Sequence, residues 1–488
     1  MKNILILIAV LFNISINAQS PKDVHNKKQE SLVITNAIII DGNGSPAKGP
    51  FDILIKNEKI TSITPSKQEQ TYPDNYTIID AKGKYVLPGF INMHGHLMNK
   101  RSGMDMPYEY QYKLWLACGI TTIRDLGSDF EASLKEQAKS KNGAIIAPRI
   151  FLYPMFKDNN KTEEEIRSQI RIWKKQGADG VKCLRLDKET FAVVADECKK
   201  LGLRIAHHVG VVDTDALDDA KGNTTTIEHW YGIPDAAIES GQQNFPGNYN
   251  WSVELDRFRY GGRLWREANQ EKLKIVLQTL IDSNVAWDPT LSIYEASRDL
   301  QKAITQPYFD AYLHPALAKF FEPSEDSHGS FFNGWTNTDE VYWKENYKIW
   351  MKALVQFENM GGIITTGEDA GFIYRIFGFG YLRELQLHEE AGFHPIEVIQ
   401  HATQNSAKIL GMEGKLGRVK AGYIADLIIV NSNPLENLQV LEPAGYNKIL
   451  DQQANGKRGI EWTIKKGIPY HAPTLLEAVR DLIAKAKK

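Results

Sequence analysis

Three features of the 488-residue sequence predict an α/β fold, a (β/α)8 TIM barrel with a small β-sandwich domain formed from both chain ends. Eight strand-like runs, mostly β-branched or apolar, lie between residues 89 and 369 and alternate with helical text; eight is the number a closed barrel requires. Helices between consecutive strands force parallel pairing, and continuous apolar runs fit strands covered on both faces. Both chain ends carry short strands and turns instead, so the barrel reads as an insertion into one small β domain.

Taken in order, the opening MKNILILIAVLFNISINAQS sets basic Lys2 before an apolar stretch, Ile4 to Ile16, and small Ala18 before a polar segment. It reads as a signal peptide cut after Ala18, which predicts a periplasmic or secreted protein. A permanent membrane anchor needs about 20 apolar residues, more than this stretch supplies. Residues 19–31 are a polar linker. Residues 32–86 (LVITNAIII, FDILIKNEKI, YTIIDAKGKYVL) alternate β-rich runs with turns such as DGNG and KNEK and form the first part of the sandwich. Residues 416–475, with GYIADLIIVNSNP and EWTIKKGIPY, form its second part, and 476–488 a C-terminal helix.

The barrel occupies 87–415. Its runs are GFINMHGH (89–96), GITTIRDLG (119–127), PRIFLYP (148–154), GVKCLRL (180–186), LRIAHH (203–208), TTTIEHW (224–230), VAWDPT (285–290) and GIITTGED (362–369). Between them, Thr162 and Glu165 make a capping box ahead of Ile166, Ile170 and Trp173 at helical spacing, with Gly177 as the stop. Lys188 to Leu201, closed by Gly202, repeats the pattern. The connections 231–284 and 291–361 far exceed the usual 2 to 6 residues, and hold Trp251, Trp265, Trp335, Trp343 and Trp350. These either pack extra helices or roof the barrel mouth and line a pocket.

Composition narrows the function classes. Lys and Arg number 58 against 60 Asp and Glu, a formal charge of -2, without the basic surplus of a nucleic-acid binder. Three cysteines, none at CxxC spacing, exclude a disulfide framework, and no bridge is expected. A small molecule is the expected partner; a homo-oligomer is compatible with the sequence, which does not decide the point.

The unusual ionisable groups fall at the C-terminal ends of the runs, where barrels build active sites. His94 and His96 lie two apart on one strand, so both face the interior, and paired neutral imidazoles suit a zinc-type cation. His207, His229 and Asp369 join them from the fifth, sixth and eighth runs. Only one of His207 and His208 faces inward; Ile205 and His207 share a face, and His207 is taken as the ligand. A satisfied core histidine is the plainer role for His229 and a helix N-cap for Asp369, which reads here as ligand and proton shuttle. Lys182 is the odd member, because an ammonium repels a cation. Tyr231, Arg185 and Arg375 lie just past their runs, where they bind a substrate carboxylate or merely make a salt bridge or core contact. His388, His394 and His401 are assigned surface or capping roles, Asp125 an ion pair with Arg124, and Cys183 the face opposite Lys182.

VLPGFINMHGHL, GITTIRDLG, GADGVKCL, IAHH, TTIEHW, TTGEDA and GKLGRVKAGYIADLIIVNSNPLEN together resemble the amidohydrolase superfamily, in its imidazolonepropionase and Xaa-Pro dipeptidase-like branch, over about residues 32–470. The resemblance implies metal ligation by His94, His96, His207, His229 and Asp369, with catalysis by Asp369. It further implies two divalent metals, zinc by family habit, bridged by a carboxylated Lys182. The expected reaction is hydrolysis of an amide bond in a small substrate, a dipeptide or an N-acyl amino acid, with a cyclic amide, lactone or ester as the alternative. Two departures concern the substrate: Glu368 stands where a threonine is usual, and Trp230 where a glycine is usual.

Overall fold

The computed structural model describes residues 20–488 apart from 69, 241–242, 244–246, 251–252, 325–326, 454 and 456–457. The segment read as a signal peptide and Trp251 lie outside the described residues.

The fold is α/β with mixed sheets. Ser31–Ile39 pairs antiparallel with Lys48–Lys56 and parallel with Thr77–Asp80 and Tyr85–Pro88. Tyr85–Pro88 then joins the two chain ends, pairing antiparallel with Leu427–Val430, from which the ladder continues through Ile460–Lys465 to Ile468–His471. Two-residue hairpin loops shape it: Asn57 and Glu58 (φ 47° and 69°), then Lys466 and Gly467 (φ 53° and 74°), are the left-handed pairs that match strand twist. The sequence predicts two packed sheets here; the hydrogen bonding describes one continuous eight-stranded sheet, because Tyr85–Pro88 bonds to both halves.

Period-two alternation fixes this sheet to the rest of the molecule. Leu427 and Ile429 bury into the sheet's own cluster with Ile34, Ile53 and Trp462, whereas Ile428 and Val430 enter the main core. Each such side chain removed from water contributes roughly 1.5–3 kcal/mol. The helix Ala472–Ala486 packs against Tyr108–Ala117, and the predicted linker includes a short helix, Pro21–Val24, whose Val24 is buried. No helix among the described residues is long and apolar enough to cross a membrane.

Seven of the eight predicted runs form parallel strands: Phe90–Gly95, Ile120–Leu126, Arg149–Tyr153 continuing through Met155–Phe156, Gly180–Leu184, Arg204–His208, Thr226–Glu228 and Ala286–Asp288. They make two parallel arcs. The eighth run is too irregular for a strand, yet its backbone bonds both ways. Thr365 N–H donates to Trp287 O (3.0 Å), Met93 N–H to Thr366 O (2.9 Å) and Asp369 N–H to His94 O (2.9 Å). The register sets Lys182 beside Ala206, Cys183 beside His207 and Leu184 beside His208. Cys183 lies opposite Lys182, in a cluster with Ile205 and Phe191; all three cysteines are free and buried.

The helix Glu163–Gln176 carries the Thr162–Glu165 capping box and ends on left-handed Gly177 (φ 106°), and Lys188–Leu201 ends on Gly202 (φ 61°). The two long connections fold into additional helices, the longest Asn337–Asn359. Trp265, Trp343 and Trp350 are fully buried among them, and Trp335 packs against the same core.

Candidate metal centre

The ends of the parallel strands converge on one cavity of about 420 Å³. His94, His96, His208, His229 and Asp369 line its floor. Nε2 of His96 lies 2.9 Å from Asp369 Oδ1, Nε2 of His94 3.7 Å from the same oxygen, and Nε2 of His229 3.9 Å from Oδ2. Burial lowers His94 to about 4, against the pull of Asp369, and Asp369 is held at about 2 because His94 and His96 outweigh its burial.

The imidazoles are oriented from behind. His94 Nδ1 donates to Glu228 Oε2 (2.8 Å), and Glu228 in turn accepts from Arg124 (2.7 Å). Burial raises Glu228, but Arg124 above all, then Lys182 and His94, hold it well below the usual carboxylate range. Thr290 Oγ1 gives its proton to Pro289 O (2.8 Å) and so accepts from His229 Nδ1 (2.6 Å), which leaves Nε2 of His229 unprotonated toward the cavity. The strand ends are strained: Arg185, His229, Thr290 and Asp369 all hold φ between 48° and 66° without being glycine. Such conformations cost of order 1–3 kcal/mol each and cluster at functional sites.

Lys182 completes the group. Its Nζ is buried with no hydrogen-bond partner, and burial chiefly lowers its basicity. An orphaned amine beside unprotonated imidazole nitrogens fits a cation site better than a salt bridge does. Ligand atoms of His94, His96 and Asp369 lie within 4.8 Å of one another; a second such group, His94, Glu228 and Asp288, already engages Arg124.

His207 is not at this centre. Its ring stacks on Phe191 (4.4 Å) in the strand–helix packing, and its Nδ1 bonds Asp219 (2.9 Å). His208 stands in its place, 4.4 Å from the His229 ring. Register gives the reason: Lys182 faces inward, its partner Ala206 does likewise, and His208 two residues on shares that face.

The substrate candidates divide. Arg185 and Tyr231 line the cavity, Tyr231 stacked on Trp230 (4.1 Å) and His208 (5.2 Å). Arg375 does not: it is fully buried, donating to Ser292 O (2.7 Å) and Glu295 (2.8 Å), where it clamps the helix Leu291–Arg298. The sequence prediction missed Tyr294, Phe258, Glu254, Arg257 and His328, all from the long connections, which complete the cavity wall. The connections thus do both jobs, with tryptophans packing and other residues lining.

Both departures from the resembled family point away from the cavity. Glu368 accepts from Asn92 Nδ2 (3.0 Å), the indole of Trp115 and the backbone N–H groups of Gly378 (2.8 Å) and Tyr381 (2.9 Å); burial pushes it up to about 8. Trp230 is wholly buried against Trp343 and Trp350. Asp125 pairs not with Arg124 but with Leu97 N–H, Ser128 and Ser133. His388 and His401, expected in surface or capping roles, are fully buried, whereas His394 stands at the N-cap of Pro395–Gln400.

Residues 355–450 match the Amidohydrolase family. A dihydroorotase from Aquifex aeolicus is 36% identical over 92 residues, 19% of this chain and 21% of that protein; an adenine deaminase from Listeria monocytogenes is 38% identical over 98 residues, 20% and 15% respectively. The chain therefore aligns with only about a fifth of these relatives. In fold the likeness extends over most of the chain. A Xaa-Pro dipeptidase with bound methionine superposes with TM-score 0.63 at 18% identity, covering 90% of this chain and 100% of that one. A putative prolidase from Bifidobacterium longum gives 0.63 at 20%, covering 94% and 99%. The family match thus lies in one segment of the chain, 355–450, whereas the likeness to the two solved structures is one of fold.

Proposed function

We propose that this protein is a metal-dependent hydrolase that cleaves the amide C–N bond of a small substrate, a dipeptide or an N-acyl amino acid. The observation that carries the reading is the buried, unpartnered Lys182 amine, whose charge bears on His94, His208, His229 and Asp369, four side chains that line the cavity with His96. The Xaa-Pro dipeptidase and the prolidases among its structural neighbours favour the same substrate class. In this reading the eight runs close as a (β/α)8 barrel, supported by the bonds of the eighth run to both neighbours, and the end sheet curls into a small sandwich. Residues 1–18 export the chain to the periplasm or beyond, and the remainder divides near the boundaries predicted from sequence, with the first strand starting at Ser31 and the C-terminal helix at Ala472.

His94, His96, His208, His229, Asp369 and a carboxylated Lys182 would hold two divalent cations, with zinc the preferred identity. Bound there, the cations supply carbonyl polarisation and a water acidic enough to attack at neutral pH. Asp369, central among the imidazoles, takes the proton of the attacking water and returns it to the leaving amine. Arg185 and Tyr231 hold the substrate carboxylate at the rim, and the rings of Phe258, Tyr294 and Phe372 exclude bulk water.

The test is release of free amino acid from a panel of dipeptides and N-acyl amino acids by zinc-reconstituted mature protein. Asp369→Asn is expected to lower kcat by roughly a thousandfold or more while metal content changes less. Equal activity in the variant sinks the assignment, and one metal per chain with full activity removes the lysine bridge. No release from any member shifts the substrate to a cyclic amide, lactone or ester on the same residues.

A further inference from the structure

Glu384, His388 and His401, all buried, and the half-buried Glu358 form a chain of four ionisable side chains that the proposed chemistry does not use. Glu384 and His388 lie on the helix Phe379–Ala391, His401 opens a π-helical turn, His401–Asn405, and Glu358 ends the helix Asn337–Asn359. His388 Nε2 is 3.2 Å from Glu384 Oε1, His401 Nε2 is 2.7 Å from Glu358 Oε1, and the two Nδ1 atoms face each other at 3.1 Å. Glu384 accepts the N–H groups of Leu291 (2.8 Å) and Ser292 (2.6 Å), the first turn of the helix that follows Thr290. Thr290 is the residue against which His229 is oriented.

Proton counting fixes the state of this chain. A carboxylate only accepts, so both Nε2 atoms carry hydrogen; two Nδ1 lone pairs cannot face each other at hydrogen-bond distance, so one of them carries hydrogen too. Three protons on four nitrogens give one positive charge shared by two imidazoles between two carboxylates. Burial above all, with the neighbouring His388, lowers His401 below the ordinary imidazole value despite Glu358 and Glu397. The cationic neighbours, Arg383 on this helix and Arg298 at the end of Leu291–Arg298, are already paired with Glu295 and Glu390. When the shared proton leaves, two protons remain for three hydrogen bonds, so Glu384, Glu358 or the Nδ1 pair loses its N–H.

We propose that Glu384 is a positioning residue for His229, seating Thr290 and the first turn of Leu291–Arg298, and that it does so while His388 and His401 share one proton. The inference rests on the reading of His229 as part of the metal centre, but its first readout does not. In the metal-free mature protein, amide exchange at Leu291 and Ser292 and the ¹⁵N signals of the two histidines are followed from about pH 5 to 9, the range in which imidazoles titrate. The expected result is three nitrogen-bound protons at the acidic end. As one is lost with rising pH, intrinsic-rate-corrected exchange of the two amides should rise about tenfold.

His388→Gln keeps an N–H for Glu384 but cannot titrate, and it should make that protection independent of pH. In the metal-loaded enzyme, Glu384→Gln should lower kcat by roughly ten- to a hundredfold with KM nearly unchanged. The proposal is overturned if neither Nδ1 is protonated at any pH, or if exchange in His388→Gln follows pH as in the wild type. Should that variant fail to fold, the wild-type nitrogen signals decide alone. A wild-type protein with no hydrolase activity would instead remove the functional reading and leave the exchange result standing.

Discussion

His207 and His208 are neighbours in sequence with opposite surroundings. His207 is sealed between strand and helix, stacked on Phe191 and bonded to Asp219; His208 opens into the cavity among His229 and Tyr231. One backbone step separates a packing residue from a member of the candidate centre, because successive side chains of a strand point to opposite faces. The identity of a residue says less than its parity, and parity is inherited from the strand next door.

The sharpest way to break this comparison is to exchange the burden. His208→Asn should lower metal occupancy and reduce activity by about a hundredfold or more, in the range seen when a metal ligand or its support is removed, with little loss of stability. His207→Asn should retain metal and activity but cost roughly 1–3 kcal/mol, since Asp219 would lose a buried partner. Metal analysis and thermal unfolding of both variants check this, and the reverse pattern would restore His207 to the centre.

What was legible in the sequence follows the same logic. HxH at 94 and 96, the histidine after Glu228 and the aspartate after Glu368 are fixed by position at run ends, and the structure brings all four together. The choice within the His207–His208 pair rests on the face that Ile205 shares with His207, and that face packs toward the outer helix. Lys182 held the missing information, because an inward lysine forces Ala206 and His208 inward through the parallel register. Arg375 and the buried His388–His401 pair were beyond reach, since both depend on long-range packing around Leu291–Arg298 that no local period encodes. The cavity wall was hidden for a similar reason: Glu254, Arg257 and His328 lie in connections without strand periodicity.

A second contrast sets the strained, orphan-bearing strand ends against the joint of the end sheet, where a buried lysine is fully engaged. Lys465 Nζ donates to Ala147 O (2.5 Å), Ser140 Oγ (3.2 Å) and Ser140 O (3.4 Å), and burial lowers it to about 8. The sign is that of a depressed lysine: above pH 8 the unfolded chain binds the extra proton, so stability rises with pH until the unfolded value near 10.4 is passed. A gain of about 1–3 kcal/mol across that window is expected in denaturant titrations. Lys465→Met should flatten it, and an unchanged slope in the variant would assign the dependence elsewhere.

The smallest effect tests the part of the molecule that sequence described best. Thr162 accepts from Glu165 N–H (3.4 Å) while Glu165 Oε2 accepts the Thr162 N–H (2.8 Å), so the first turn of Glu163–Gln176 is closed reciprocally at an exposed position. Thr162→Ala removes one arm of the box and should cost about 1 kcal/mol. Ile166 and Ile170 on the buried face would still hold the helix in place, and the cavity residues touch none of this turn. Activity and metal content should therefore be unchanged while the midpoint of chemical unfolding falls slightly. A loss of activity from this substitution would show that the helix layer and the strand ends are coupled more tightly than their separate packing implies, and would weaken the division between scaffold and site on which the larger effects depend.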